Sequence, residues 1–228
     1  MQKLAASGLS RWQAPQRIGR QGYSIPMPPN AAGRKVEFFY DYGSPYSYLA
    51  NSQLPGICEE LGAELVYRPM LLGGVFKATG NRSPAQESVE AKRRYGGTTM
   101  QRWVDHYGVR FGGNPHFPIN TLELMRRAVA AQHEGVFAAY HAAVYPAFWD
   151  RGLDLGDAEL RDTLLAESGL DPERLGAIAA SPEAKGELRA TTEEAVARGA
   201  FGAPTVFVGE AMFFGADHLP FLRQELEK

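Results

Sequence analysis

The chain has 228 residues, a length that suits one or two domains. Hydrophobic residues make up 44% and charged residues 22%, the balance of an ordinary globular protein, which excludes disorder throughout. Twenty-four basic against 26 acidic side chains leave a net charge of −2, so no overall field attracts nucleic acid or an anionic membrane.

Residues 1–34 carry five basic side chains (Lys3, Arg11, Arg17, Arg20, Arg34) and no acidic one, and run into the Pro/Gly-rich stretch 26–33. They contain no apolar h-region, so a secretory signal peptide is not expected. The composition also suits a mitochondrial presequence; the plainer expectation is a mobile or surface-draped extension outside the fold.

The fold opens at Val36-Glu37-Phe38-Phe39-Tyr40, a β-branched and aromatic run that reads as a buried strand. Ser44 then caps a helix, with Pro45 at its first position, and Gly62 ends it near Leu61. Pro55 is expected to kink that helix. Residues 63–68 form the second strand, which makes a βαβ unit with parallel strands. From about Ser83 to Gly199 the pattern is helical. Asn120 with Glu123 reads as a capping box, Asp157, Asp171 and Ser181 as further caps, and Gly169 and Gly199 as stops. Strands return at 205–208 and 211–214 around Gly209-Glu210, and a last helix is predicted from Asp217 to Leu226.

The order β-α-β, helical block, β-β-α is that of an α/β fold: a thioredoxin-like domain with an inserted all-α domain. The expected division is an extension at 1–34, a thioredoxin-like domain from 35–82 and 200–228, and a helical insertion at 83–199. In that layout Ser44-Pro45-Tyr46-Ser47 occupies the place of a Cys-x-x-Cys pair, and two serines cannot perform dithiol exchange. A Ser-Pro at a helix start is most simply a cap. It can also hold an anion, such as a bound thiolate, through its hydroxyl and the helix N-terminus. Ala203-Pro204 enters a strand, and a cis bond there would present the Ala203 backbone to an extended ligand.

Cys58 is the single cysteine, which excludes an internal disulfide and a cysteine zinc cluster and fits a reducing compartment such as the cytoplasm. Cys58 itself reads as a small buried hydrophobe. The five histidines lack HExxH or paired-ligand spacing, so no metal is expected. No GxSxG, P-loop or GxGxxG occurs, and no apolar run is long enough to span a bilayer.

The segments FYDYGSPYSYLA, PMLLGGVFKATGN, FPINTLELMR and FGAPTVFVGEAMFFGADHL, in this order, resemble the 2-hydroxychromene-2-carboxylate isomerases and their relatives, the kappa-class glutathione transferases, within the DsbA-like branch of the thioredoxin superfamily. The resemblance covers about Lys35 to Leu226. It implies glutathione as cofactor, with Ser44 at its sulfur, Lys77 and Asn81 near the glutathione and substrate pocket, Ala203 before a cis Pro204 pairing with its cysteinyl part, and Asp217 receiving its ammonium. It implies Ser44 as the catalytic residue, and a small aromatic carboxylate as substrate. Whether the chain forms a homodimer stays open. Tyr95, Arg102 and Trp103 fit the family frame, but Thr99 stands where relatives often carry Asp, and Gly96-Gly97 and the GGNPHFP segment with His116 also depart from it. The activity implied is a glutathione-dependent isomerase. The alternatives are a kappa-like transferase or peroxidase that consumes glutathione, and a non-catalytic thioredoxin-like binding module.

Overall fold

The computed structural model describes residues 33–228; the expectations for the N-terminal extension lie outside the described residues. Strand β1 (Lys35–Tyr40) leads into α1 (Pro45–Leu61), β2 (Glu64–Pro69) and the short α2 (Leu72–Thr79). Helices α3 (Glu90–Tyr107), α4 (Leu122–His133), α5 (Phe137–Trp149), α6 (Ala158–Glu167), α7 (Pro172–Ala179) and α8 (Pro182–Ala197) follow. The chain closes with β3 (Thr205–Val208), β4 (Ala211–Phe214), a 3-10 turn at Ala216–His218 and α9 (Leu219–Leu226).

The sheet order is β2-β1-β3-β4, with β1 parallel to β2 and antiparallel to β3. Phe39 stands opposite Thr205, so the end of β1 lies beside the start of β3. Strand periodicity sends successive β1 side chains to opposite faces. Val36, Phe38 and Tyr40 join a core with α1, α4 and α5, while Phe39 packs with Met70, Val75, Ala195 and Phe207 on the other face. The first core is continuous from the sheet into the helical block, where Leu124, Val144 and Leu165 belong to it. On the Phe39 face of the sheet Glu37 accepts from Arg68 at 3.1 Å and Arg198 at 2.8 Å, and Arg198 lies over the Phe207 ring.

Local chemistry explains most boundaries. The side chains of Ser44, Asp157, Asp171 and Ser181 each accept from a backbone N–H of the first turn of their helix. Gly62, Gly169 and Gly199 stop helices with positive φ. Pro55 lies inside α1, which runs on through it as one helix.

Three details depart from the sequence reading. Helix α4 starts one residue later than the predicted capping box: Asn120 Oδ1 accepts from Leu122 N–H at 3.0 Å, and Glu123 pairs with Arg127 rather than reaching back. Asp217 does not cap the final helix, because Pro220 shifts its start to Leu219 and leaves Asp217 in a 3-10 turn. Helix α2, between β2 and Ser83, is an element that sequence patterning does not mark, since Gly73-Gly74 dilutes its helical signal.

Candidate active site

The turn between β1 and α1 is fastened from several directions. Ser44 is 4% exposed; its Oγ accepts from Ser47 N–H at 3.1 Å and donates to the Ala203 carbonyl at 2.9 Å. Asp41 is fully buried, with Oδ1 accepting from Gly43 N–H and Oδ2 from Leu72 N–H, both at 2.8 Å. Burial pushes its carboxyl pKa up, and these two N–H groups and the Thr121 hydroxyl pull it back. Gly43 is required by close approach: a Cβ there would sit 2.9 Å from the Thr121 methyl carbon. The helical block is thus moulded against the turn.

Behind the turn a polar thread crosses an aromatic core. Tyr42 carries a hydroxyl 2.9 Å from His141 Nδ1, and His141 Nε2 lies 2.8 Å from Asn51 Oδ1, which also accepts from Tyr67. An amide oxygen can only accept, so Nε2 holds the imidazole proton and Nδ1 accepts from Tyr42. Burial lowers the His141 pKa to about 3, which keeps the ring neutral. Trp149 Nε1–H donates to the Tyr42 carbonyl at 2.7 Å.

In front of the turn lies a cavity of about 310 Å³. Ser44, Asn81, Ala203 and Asp217 all line it, although they come from three separate parts of the chain. Tyr46, Phe76, Trp103, Phe117 and Phe214 make its walls aromatic. Thr99 also lines it, and its hydroxyl is buried with no hydrogen-bond partner among the described residues. Asn81 Nδ2 donates to the Phe201 carbonyl at 2.8 Å and so ties the α2 exit to the segment before β3. The Ala203–Pro204 bond is cis; Pro204 is buried outside the cavity lining, and its carbonyl accepts from Gly215 N–H at 3.0 Å. The Ala203 N–H has no partner among the described residues.

Asp217 is exposed beside Gly215, whose φ of +93° and lack of Cβ let the carboxylate come close. Tyr107 of α3 donates to the neighbouring Ala216 carbonyl at 2.5 Å. Burial and then the Asp217 charge push the Tyr107 hydroxyl up to about 12, and the same two causes raise Tyr46. An adjoining hollow shares Tyr46, Asn81 and Pro84 and is flanked by Arg82, Lys92 and Arg93.

Lys77 does not join this constellation. Adjacent residues on a helix point about 100° apart. Phe76 faces the cavity, while Lys77 is exposed on another face of α2 and lines a separate groove. Tyr95 and Arg102 are exposed and do not line the cavity, and His116 sits apart beside Asp154. Conversely, Asp41, Phe117 and Phe214 belong to the site or its frame without standing out in the sequence. Only the Asp two residues before the Gly-Ser turn offered a local signal, as an acceptor for turn N–H groups.

A family model described as a DsbA-like thioredoxin domain matches residues 35–227. A 2-hydroxychromene-2-carboxylate isomerase from Sphingobium xenophagum is 31% identical over 85% of this chain and 98% of its own length. Glutathione S-transferase kappa 1 from Homo sapiens is 27% identical, over 83% of this chain and 89% of its own. Among solved structures, a 2-hydroxychromene-2-carboxylate isomerase superposes with a TM-score of 0.71 at 27% identity, covering 84% of this chain and 94% of that one. A probable DsbA oxidoreductase from Streptomyces coelicolor shares the fold with a TM-score of 0.63 at 21% identity, over 85% and 88% of the two chains. With serines where a dithiol would stand and an aromatic cavity before them, the chain belongs to the 2-hydroxychromene-2-carboxylate isomerase family of DsbA-like thioredoxin-domain proteins.

Proposed function

We propose that the protein is a glutathione-dependent isomerase that interconverts a 2-hydroxychromene-2-carboxylate-like acid and its trans-o-hydroxybenzylidenepyruvate-like open form. The observation that carries this reading is the convergence of Ser44, the unpartnered Ala203 N–H and Asp217 on one cavity with aromatic walls.

The donor and acceptor set fits glutathione. Asp217 offers a carboxylate for its ammonium, the Ala203 backbone an amide partner, and Ser44 with the α1 N-terminus a seat for its sulfur. When bound, glutathione supplies a thiol nucleophile able to relieve the double-bond character that blocks rotation in the substrate. The chain's own residues do the rest. The first turn of α1 and the Ser44 hydroxyl favour negative charge at the seat, once the hydroxyl turns away from Ala203 O. Tyr46, Phe76, Trp103, Phe117 and Phe214 offer flat apolar faces to an aromatic acid and keep water from it. Arg82 and Arg93 place positive charge beside the cavity for a substrate carboxylate, whereas Lys92 is paired with Glu87 of the same hollow at 4.0 Å; Lys77 does not have the position to fill this role.

Following the ultraviolet spectrum of the chromene acid with enzyme, with and without glutathione, tests the reading. Conversion should require glutathione while leaving its concentration unchanged. Stoichiometric loss of glutathione to a chloroaromatic acceptor, without isomerisation, would assign the protein to the transferase reading that its kappa-class relatives support. Failure of the protein to bind glutathione at all would favour a binding module.

A further inference from the structure

The face of α2 turned from the aromatic cavity borders a second groove, of about 640 Å³, between α2, α4 and α8. Leu72 and Phe76 face the first cavity, whereas Leu71, Gly74 and Lys77 line the second, so α2 is the wall between them. We propose that this groove is a binding site for an amphiphilic anion, a compact apolar body carrying one carboxylate or sulfonate.

Four cationic side chains line it: Lys77 from α2, Arg126 from α4, and Lys185 and Arg189 from α8. None of the four forms an ion pair among the described residues, while Glu193 is the one acid in the lining. Elsewhere in the described structure eight of the thirteen arginines pair with carboxylates, as in Arg68 with Glu37 and Arg223 with Glu60. Unmatched cations gathered around one hollow leave a local positive field that the net charge of −2 conceals.

A second observation points the same way. Arg126 Nε is buried and has no hydrogen-bond partner among the described residues. A buried N–H without an acceptor is costly, and an anion that draws the Arg126 side chain toward the groove would supply the acceptor. Between the charges the floor is apolar, built from Leu122, Leu188 and Val196. That combination rejects a fully hydrated inorganic anion and suits one with an apolar body; the volume falls within the usual range for small-ligand sites. The N-terminal extension is not a suitable occupant, since residues 1–34 contain five basic side chains and no acid.

The probe is 8-anilinonaphthalene-1-sulfonate, with neutral N-phenyl-1-naphthylamine as its uncharged counterpart, titrated by fluorescence into the full chain. Lys185→Gln/Arg189→Gln alters only exposed side chains, and Arg126→Gln tests the buried donor separately. The double variant should weaken the sulfonate by about tenfold and the neutral probe by less than about twofold, and 0.5 M salt should weaken the sulfonate in the wild type, because the Debye length falls from about 30 Å at 0.01 M to about 4 Å at 0.5 M. Unchanged sulfonate binding in both variants would overturn the proposal, as would equal loss of both probes. Wild-type binding that falls as protein concentration rises would show a second copy covering the groove and would also overturn it.

Discussion

The Ser44 hydroxyl gives its single proton to the Ala203 carbonyl, 2.9 Å away across 159 residues of sequence, while its oxygen caps α1 through Ser47 N–H. One side chain therefore serves both as helix cap and as the link between the two halves of the site. Ser44→Ala removes both bonds. Losing one oriented donor should lower isomerase turnover roughly 100-fold at saturating glutathione. Losing the cap should cost only about 1 kcal/mol of stability. Steady-state turnover and a denaturant titration of the same preparation separate the two effects, and unchanged turnover would remove Ser44 from the chemistry.

Gly43 and Thr121 report on the fit between the turn and the helical block. Gly43→Ala should destabilise by about 1–3 kcal/mol, because its Cβ would meet the buried Thr121 methyl at 2.9 Å. Thr121→Ser deletes that methyl and keeps the hydroxyl beside Asp41. The double variant should be more stable than the sum of the single losses predicts, as residues in contact couple in such a cycle. Strict additivity in urea unfolding would contradict this packing.

His141 sets a dependence on pH. Its pKa is held at about 3 in the folded state by burial, against about 6.5 when unfolded. The unfolded chain therefore takes up a proton that the folded chain refuses. The stability is fully present above about pH 6.5 and declines as the pH falls toward 3. Between pH 7 and pH 5 this one group should remove about 2 kcal/mol. His141→Asn should flatten the slope of unfolding free energy over that interval by about one proton; an unchanged slope would place the titration elsewhere.

Much of this architecture was legible in the sequence, and the parts that were not share a cause. Ser44-Pro45, Asp171-Pro172 and Ser181-Pro182 are local signals, since each cap bonds within its own first turn. The Val36–Tyr40 run, with its aromatic and β-branched side chains, likewise identifies a buried strand from its own residues. Contacts across the fold decide the rest. Nothing local tells Phe76 from Lys77 as the residue facing the cavity; the packing of α2 against α8 does. Phe117 and Phe214 become walls only because the helical block and β4 arrive at the same hollow. Asp217 sits in the predicted region but not at a helix cap, because Pro220 two residues into α9 moves the start of that helix.

Cys58 should be chemically quiet. It is 3% exposed, and burial pushes its thiol up to about 11. At pH 8 only about one thiol in a thousand is then ionised. Ellman's reagent should react with native protein far more slowly than with the chain in guanidinium. Because the folded state favours the neutral thiol, stability should be unaffected below about pH 8.5 and fall as the pH rises from there toward 11. Rapid labelling of the native state at pH 8 would show the thiol to be accessible.

The sheet order carries a consequence for how the molecule is made. Synthesis runs from the N-terminus, so β1, α1 and β2 leave the ribosome first, and β1 then waits for the partner that completes its other edge. That partner, β3, follows only after α2 and the whole helical block, and Ala203 arrives with it. Until then β1 exposes an open strand edge in a nascent chain, the kind of surface that pairs wrongly with other chains. The cavity in front of Ser44 is likewise half built for most of translation, and a chain released before residue 203 would carry the Ser-Pro turn with no Ala203 carbonyl opposite it.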